Sequence, residues 1–398
     1  MTMYCQGPGE GTMRYCSIRS TLTDPYRAGY EIGAALAAIA PEVILLFASI
    51  SYDPDFSDFF DALHDGLGGR AALVFGGTGD GIYETSGTEN YGVCALGITS
   101  NGAVTWSAFL EQGVKADSFA AAEACARKAR EACDGAPAFC MALADGTKAD
   151  GHAIVSGISA VLPGSFFGGL TGDDRKFTRS KLFLNGREYA DAVAILTGSG
   201  AVNWAVSAAA GWTPVGAPGV VEDNNGCEIR NISGRTALDF MSAELGKPLG
   251  EADLGTVPLA AYLKASDTHF AMRAPSHVDP EQGSVTTFGS VETGCTVRVC
   301  TASRQDLLKA VAEALGQLDQ TVLGFTPAAA IIISCAGRKW LTGDQGEKEL
   351  ALLQQTLGTS LPLIGFPSFG EISPFRNADG SYSPVNFHNV TFVVCLMG

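Results

Sequence analysis

The sequence has few basic residues and no long apolar run, and each shortage excludes a class of protein. Lys and Arg number 26 against 42 Asp and Glu, which gives a formal net charge of −16. Nucleic acids and anionic membranes are bound through clustered Lys and Arg, so neither partner is expected. The longest apolar runs, 43–48 and 328–333, are far shorter than the roughly 18 residues of a membrane span. We therefore predict no transmembrane segment.

The sequence also lacks the cysteine and histidine spacings of metal sites. Its 11 Cys include no Cys-x-x-Cys pair, and its 5 His form no cluster with them. In a chain of this length, most such cysteines are expected to be free, buried thiols in a reducing compartment. Residues 1–20 contain no apolar stretch of the signal-peptide kind. We expect a soluble, cytoplasmic protein that holds no metal.

What is present is a regular alternation of β-rich runs and Ala-rich helical stretches. Asp24 followed by Pro25 is typical of a helix start. Segments 43–49, 138–144 and 328–334 are apolar except for the last residue of the first and third, a serine, and such runs are typical of strands buried on both faces. The pattern predicts a mixed α/β (α+β) fold with duplicated strand–helix units and antiparallel hairpins. We expect two closely packed domains, 1–235 and 236–398, and the order is compatible with αββα layering.

Three Asn-Gly pairs predict hairpins, and one of them, Asn225-Gly226, belongs to an extended hairpin expected to lead into the second domain. Asn101-Gly102 and Asn185-Gly186 each lie between apolar runs, and this dipeptide favours a tight turn with positive φ at both positions. The first pair predicts that the strands around 92–98 and 104–110 lie side by side. The second predicts the same for the strands that flank 185–186.

Three strand-to-loop junctions share one composition: an apolar strand, a glycine, a hydroxyl residue, another glycine and a carboxylate. Glycine allows close approach of a neighbour, and exposed N–H groups in such turns can bind anions. One alternative is that these are tight turns with solvated acids. Three copies indicate internal duplication, and we expect the loops to contribute to one binding site. The residues concerned are Thr78, Gly79 and Asp80, then Gly169 and Asp173, then Ser368, Gly370 and Glu371.

Three C-terminal segments resemble the signature of the FIST family. They are Ser334-Cys335-Ala336-Gly337-Arg338, Gly365-Phe366-x-Ser368-x-Gly370-Glu371-Ile372 and Phe387-His388-Asn389-x-Thr391. The N-terminal half, with the first two glycine loops, is similar to the FIST N-terminal domain, so the resemblance extends over residues 15–398. It implies an intracellular sensor of a bacterial or archaeal signalling system, with amino acids as the ligand class. We expect the signal to pass to a separate signalling protein.

A zwitterionic ligand needs a cationic and an anionic group a few ångströms apart. Arg338 can bind a carboxylate with two hydrogen bonds, and Glu371 can bind an ammonium group. The alternative is that these two side chains form an internal ion pair. The expected ligand-binding residues near this pair are Cys335, Phe366, Ser368, Gly370, His388 and Asn389, with Phe369 and Phe387 as further walls.

Two other functions remain open at the level of sequence. Cys335 and His388 could form a nucleophile and base pair, although no nucleophile signature surrounds Cys335. A haem-based gas sensor would need a proximal histidine, for which His152 is the candidate. The glycine loops match neither a dinucleotide-binding fingerprint nor a P-loop. We therefore expect a non-catalytic sensor of an amino acid or similar small polar metabolite, without a cofactor.

Overall fold

The computed structural model describes residues 2–6, 13–133, 135–262, 270–318, 323–343, 346–377 and 379–398. These residues form eight α-helices and 28 strands, and the strands are arranged in four sheets. The helices are α1 (Pro25–Leu36), α2 (Phe56–Gly66), α3 (Ser118–Ala132), α4 (Gly151–Ser159), α5 (Ala237–Leu245), α6 (Arg304–Gly316), α7 (Ala336–Thr342) and α8 (Gly346–Leu357).

Three of the sheets have the same plan: a central parallel pair, an antiparallel strand beside the first member, and a borrowed hairpin beside the second. Sheet A contains, in spatial order, β1 (Tyr4–Gln6), β2 (Arg14–Ser20), β7 (Val93–Thr99), β3 (Val43–Ser49), β4 (Leu73–Gly79), β11 (Leu182–Leu184) and β12 (Arg187–Tyr189). Sheet B contains β14 (Trp204–Ala209), β28 (Phe392–Met397), β24 (Ala329–Cys335), β25 (Leu363–Ser368), β5 (Ile82–Glu84) and β6 (Gly87–Glu89). Sheet C contains β27 (Asn386–His388), β26 (Gly370–Ser373), β10 (Phe167–Leu170), β9 (Phe139–Ala144), β13 (Ala192–Gly200) and β8 (Val104–Gln112).

Each of these three sheets forms a unit with its helices, and in chain order sheet A belongs to the first unit, sheet C to the second and sheet B to the third. The hairpin that follows the parallel pair of one unit in the chain pairs with the sheet of another unit. The β5–β6 hairpin follows β4 of sheet A but pairs with β25 of sheet B. The β11–β12 hairpin follows sheet C but pairs with β4. The β26–β27 hairpin follows sheet B but pairs with β10 of sheet C. The three units are therefore interlocked in a cyclic order, and the predicted duplication is a triplication.

The main core lies between the three sheets and takes apolar side chains from all of them, including Phe47, Met141 and Ile331. Helix pairs cover the outer faces: α1 and α2 on sheet A, α3 and α4 on sheet C, α6 and α8 on sheet B. Any two sheets with their helices give the predicted αββα order, and the third sheet closes the core. The central strands are buried on both faces, as their composition predicts.

The fourth sheet is formed by residues that come between the second and third units in the chain. It comprises β15 (Thr213–Pro214), β16 (Gly219–Asn225), β17 (Glu228–Ile232), β18 (Arg235–Thr236), β19 (Leu259–Tyr262), β20 (Ala271–Arg273), β21 (Pro275–Asp279), β22 (Ser284–Thr287) and β23 (Thr296–Thr301). Its core packs around Phe240 and Met241 of α5. Strands on both sides of residue 235 belong to this sheet, and the two-domain division stays a prediction.

One of the three predicted hairpins is wrong, whereas the hairpin of β16 and β17 around Asn225-Gly226 forms as predicted. Asn185 and Gly186 have φ of 50° and 76° and join the paired strands β11 and β12, as predicted. Asn101 and Gly102 also turn with positive φ, at 52° and 82°. However, β7 before this turn pairs in sheet A and β8 after it pairs in sheet C. The dipeptide determines the turn, whereas core packing determines which strand becomes the neighbour.

The cysteines follow the prediction with one exception. Nine are free, and Cys5 and Cys16 form a disulfide between the paired strands β1 and β2. Among the described residues, no helix is both long enough and apolar enough to cross a membrane.

Candidate functional site

The three glycine junctions meet, and each donates a backbone hydrogen bond to the next. These bonds run from Asp80 N to Pro367 O (3.0 Å), from Gly172 N to Thr78 O (2.9 Å) and from Phe369 N to Leu170 O (3.1 Å). Asp80, Gly172 and Phe369 are therefore structurally equivalent, because each is the donor in its junction. Of the three carboxylates that the sequence aligns, only Asp80 is at this position, whereas Asp173 and Glu371 lie one and two residues beyond it.

Asp80 connects the first junction to α7. Its side chain is buried, and the indole N–H of Trp340 donates to its Oδ2 at 2.6 Å. The ammonium group of Lys339 donates to the backbone carbonyl of Asp80. Burial raises the pKa of Asp80 to about 6, and the nearby carboxylate of Asp174 also raises it, while Lys339 and Trp340 oppose the shift.

Arg338 does not face this site. Its guanidinium is fully buried and pairs with Glu349 at 2.9 Å, not with Glu371. Two further N–H groups donate to the carbonyls of Ala210 at 2.6 Å and Leu307 at 2.8 Å. The structure thus places Arg338 inside the protein, where four hydrogen bonds connect α7 to α8, to α6 and to Ala210.

Glu371 is likewise buried and fully hydrogen-bonded. Its Oε1 accepts from the Ser368 hydroxyl at 2.5 Å, and its Oε2 accepts from the backbone N–H and the hydroxyl of Thr391 at 2.9 and 2.8 Å. Burial raises the pKa of Glu371 to about 7 although these donors lower it. Glu371 therefore connects β26 to Thr391, the residue that precedes β28.

Asp173 organises the loop of the second junction. Its carboxylate accepts backbone hydrogen bonds from Lys176, Phe177, Thr178 and Arg179 at 2.6–3.1 Å. These N–H groups, which follow the glycine junction in the chain, form a turn around an anion, and the carboxylate of Asp173 itself occupies it.

Three predicted residues gather around one small cavity. Cys335, Ser368 and Asn389 line it together with Phe369 and Trp340, and its volume is about 10 Å³. A cavity of this size holds about one water molecule. The predicted cluster therefore exists as a cluster, but it has no room for an amino acid in this conformation.

The other predicted residues pack within the protein. Thr78 donates its hydroxyl to the carbonyl of Gly172 at 2.7 Å. Phe366 lies in the central core, with its ring 4.4 Å from that of Phe47. A Cβ at Gly79 would meet Phe366, and one at Gly169 would meet Ile333, so both glycines allow close packing. Gly370 and Phe387 pack against each other in the same way.

Cys335 and His388 are both unsuited to act as a nucleophile and its base. Burial, and then the carboxylate of Glu371, raise the pKa of the Cys335 thiol well above its ordinary value. Burial, and then Arg273, lower the pKa of His388 to about 3. The imidazole packs on the ring of Phe375 at 4.7 Å, and neither ring nitrogen has a hydrogen-bond partner among the described residues.

His152 lies in the first turn of α4, where its backbone N–H donates to the capping residue Asp150 at 2.9 Å. Burial and Arg273 lower its pKa, while Asp150 and Glu292 raise it. A proximal histidine needs a broad apolar slot for the macrocycle, whereas this imidazole lies among charged groups. The surroundings of His152 do not fit a haem.

An open cleft lies beside the converging junctions, between the β5–β6 hairpin and α7. Its volume is about 380 Å³, within the range of small-molecule sites. Lys339, Trp340 and Tyr83 line it, with Glu89 and Glu347 at the same cleft. Glu89 is paired with Arg19 at 3.2 Å. Sequence reasoning missed these residues, although Lys339 and Trp340 directly follow the FIST segment that ends at Arg338.

Trp340 connects this cleft with the aromatic cluster behind it. The indole lines both the cleft and the small cavity. Phe177 packs edge-on against Trp340 at 5.9 Å and against Phe369 at 4.7 Å. The guanidinium of Arg175 lies 4.2 Å from the centre of the Trp340 ring. The arrangement offers a cation, carboxylates and aromatic faces within one small region.

The family models agree with this architecture. The FIST N domain matches residues 42–235, and the FIST C domain matches residues 231–374. The chain belongs to the FIST family, whose domains are associated with sensors in signal transduction. No curated protein matches the chain.

Among solved structures, the chain is similar to a cyanuric acid hydrolase from A. caulinodans. The sequences are 9% identical, the similarity covers 100% of this chain and 99% of that chain, and the TM-score is 0.37. At that score the likeness carries no argument about fold or chemistry.

Proposed function

We propose that this chain is a non-catalytic, cytoplasmic sensor of a bacterial or archaeal cell, and that it binds an amino acid or similar small polar metabolite. The ligand would occupy the cleft between the β5–β6 hairpin and α7. The observation that carries the proposal is the combination of Lys339, Trp340 and carboxylates in an open cleft of about 380 Å³. No cofactor is needed for this function.

The charges of the cleft suit a zwitterion. Lys339 supplies a cation for the carboxylate of the ligand, and Glu347 supplies a carboxylate for its ammonium group. Trp340, Pro367 and Ile82 supply apolar surface. This arrangement keeps the ligand chemistry predicted from sequence but moves it from Arg338 and Glu371 to the neighbouring residues.

Binding in this cleft can influence the whole molecule, because its walls belong to different units. Ile82 and Tyr83 come from the first unit and pair through β5 with β25 of the third. A ligand there would change the contact between units, and we place the recipient of that change in a separate signalling protein. Catalysis at Cys335 is disfavoured because its thiolate form is strongly destabilised.

The proposal is tested by a thermal-shift screen of the twenty amino acids and small organic acids. A ligand at about 100 times its dissociation constant should stabilise the fold by roughly 2.7 kcal/mol. Lys339→Met should abolish the shift, whereas Lys309→Met, on the exposed face of α6, should retain it. If no compound shifts the wild type, or if Lys339→Met responds like the wild type, the proposed site is wrong.

A further inference from the structure

Arg175 is held over Trp340 by a loop of unusual backbone conformation. Asp174, Arg175 and Phe177 have φ of 61°, 62° and 52°. Residues other than glycine adopt such angles rarely, because the Cβ is crowded there. The four hydrogen bonds to Asp173 hold the loop in this conformation. The fold therefore maintains an unfavourable backbone whose visible result is a cation over an aromatic ring.

The surroundings of Trp340 favour a cation. A guanidinium or ammonium group is attracted to the face of an indole, and nearby carboxylates increase the attraction. The indole N–H is bonded to the Asp80 carboxylate at 2.6 Å, and Asp174 interacts electrostatically with Asp80. Phe177 supplies a second aromatic wall at 5.9 Å.

Arg175 occupies this position loosely. Its side chain is exposed, and among the described residues it has no ion pair and no hydrogen bond. An exposed cation–π contact is weak, because water competes for the cation. A cation supplied from outside can therefore compete with Arg175 for the ring.

Arg175 does not itself line the cleft, but the indole that it covers does. We propose that the ligand in the cleft carries a second cationic group, which replaces the Arg175 guanidinium over Trp340. This inference rests on the proposed function and narrows its ligand class to basic amino acids and their guanidinium or ammonium relatives. The ligand carboxylate then meets Lys339, and its side-chain cation meets Trp340.

The experiment is isothermal titration calorimetry of the full chain with L-arginine, L-citrulline and L-glutamate. L-Citrulline has nearly the shape of L-arginine but a neutral end group. The wild type should bind L-arginine about tenfold more tightly than L-citrulline, the ratio expected for a partly desolvated cation–π contact. Trp340→Leu should bring this ratio close to one.

Two variants of the loop distinguish competition by the Arg175 guanidinium from a general effect of positive charge in the loop. Arg175→Ala should bind L-arginine about two- to fivefold more tightly than the wild type, because the internal competitor is gone. Lys176→Ala removes the same charge from the same loop, at an exposed side chain, and should bind like the wild type.

Two results would overturn the inference. One is equal affinity of the wild type for L-arginine and L-citrulline, and the other is an Arg175→Ala variant that binds L-arginine no better than the wild type. An amino acid of any charge that binds wild type and Arg175→Ala equally, and is lost in Lys339→Met, would retain the proposed function while refuting this inference. Failure of every compound in the thermal-shift screen would refute both.

Discussion

At the scale of single residues, the buried charged groups support the structure. Arg338, Glu349 and Glu371 are each almost fully inaccessible to solvent, and each has its hydrogen bonds filled by other groups of the protein. The sequence motif singled out Arg338 and Glu371 as ligand-binding residues. It could not show that their partners are Glu349 and Thr391, because these partners come from other elements of the fold.

Arg338 offers a direct test of this structural role. Arg338→Met leaves the buried carboxylate of Glu349 without its cation, which should lower the free energy of unfolding by about 3–5 kcal/mol. Chemical denaturation followed by circular dichroism measures this loss. The double variant Arg338→Met/Glu349→Leu should recover part of it, because the uncompensated charge is removed. A stable Arg338→Met protein that has lost ligand binding would instead support a ligand role for Arg338.

The titration of Glu371 makes stability depend on pH. Its pKa is raised to about 7 in the folded protein, above the ordinary glutamate value of about 4.3. The folded state therefore binds the proton more tightly than the unfolded state does, and stability should fall as pH rises between these two values. The slope from this residue is at most about 1.4 kcal/mol per pH unit.

Glu371→Gln should flatten that slope even if it lowers stability at every pH. Denaturation midpoints measured from pH 4.5 to 7.5 give the comparison. Asp80→Asn provides a matched variant, because the pKa of Asp80 is also raised, to about 6, and its contribution should end at lower pH. Parallel curves for the wild type and Glu371→Gln would contradict the assignment.

At the scale of elements, one glycine in the second strand of each parallel pair allows the two strands to pair. A Cβ at Gly76, Gly168 or Gly365 would overlap the carbonyl oxygen of the partner strand, at Leu46, Ala142 and Ile332 respectively. The three glycines lie at equivalent registers of the three parallel pairs. The repeated glycine is thus required for the close pairing of the parallel strands.

Gly168→Ala tests the packing requirement. Overpacking against a neighbouring backbone should destabilise the protein by at least about 1–3 kcal/mol, seen as a lower thermal midpoint. The control is Gly316→Ala at the end of α6, where a Cβ meets nothing within 4 Å. That change should be neutral or stabilising by up to about 1 kcal/mol. Equal midpoints for the two variants would show that the close approach at Gly168 is unimportant.

At the scale of the whole molecule, the exchanged hairpins should make folding depend on the complete chain. The β5–β6 hairpin pairs with β25, and β14 pairs with β28, so both halves of the chain lack strand partners when separated. Fragments 1–235 and 236–398 should each lack a cooperative thermal transition, and coexpression should restore one. Near-ultraviolet circular dichroism of each purified fragment provides the measurement, and a cooperative transition of 1–235 alone would refute this expectation.

The sequence by itself determined the local features of this protein. Apolar runs, the Asp24-Pro25 helix start and the Asn185-Gly186 hairpin depend on residues close together in the chain, and each formed where predicted. The internal duplication and the FIST family were also evident, because both leave repeated or matching residues in the sequence.

Only the tertiary structure decided how these parts combine. The strands around Asn101-Gly102 entered different sheets, and Arg338 turned away from the cleft while Lys339 and Trp340 face it. Strand partners and ion pairs are set by the packing of three sheets around one core. Whether a side chain points into the protein or into the cleft therefore depends on contacts between residues more than 100 positions apart. Examples are the contacts of Arg338 with Ala210 and of Trp340 with Asp80.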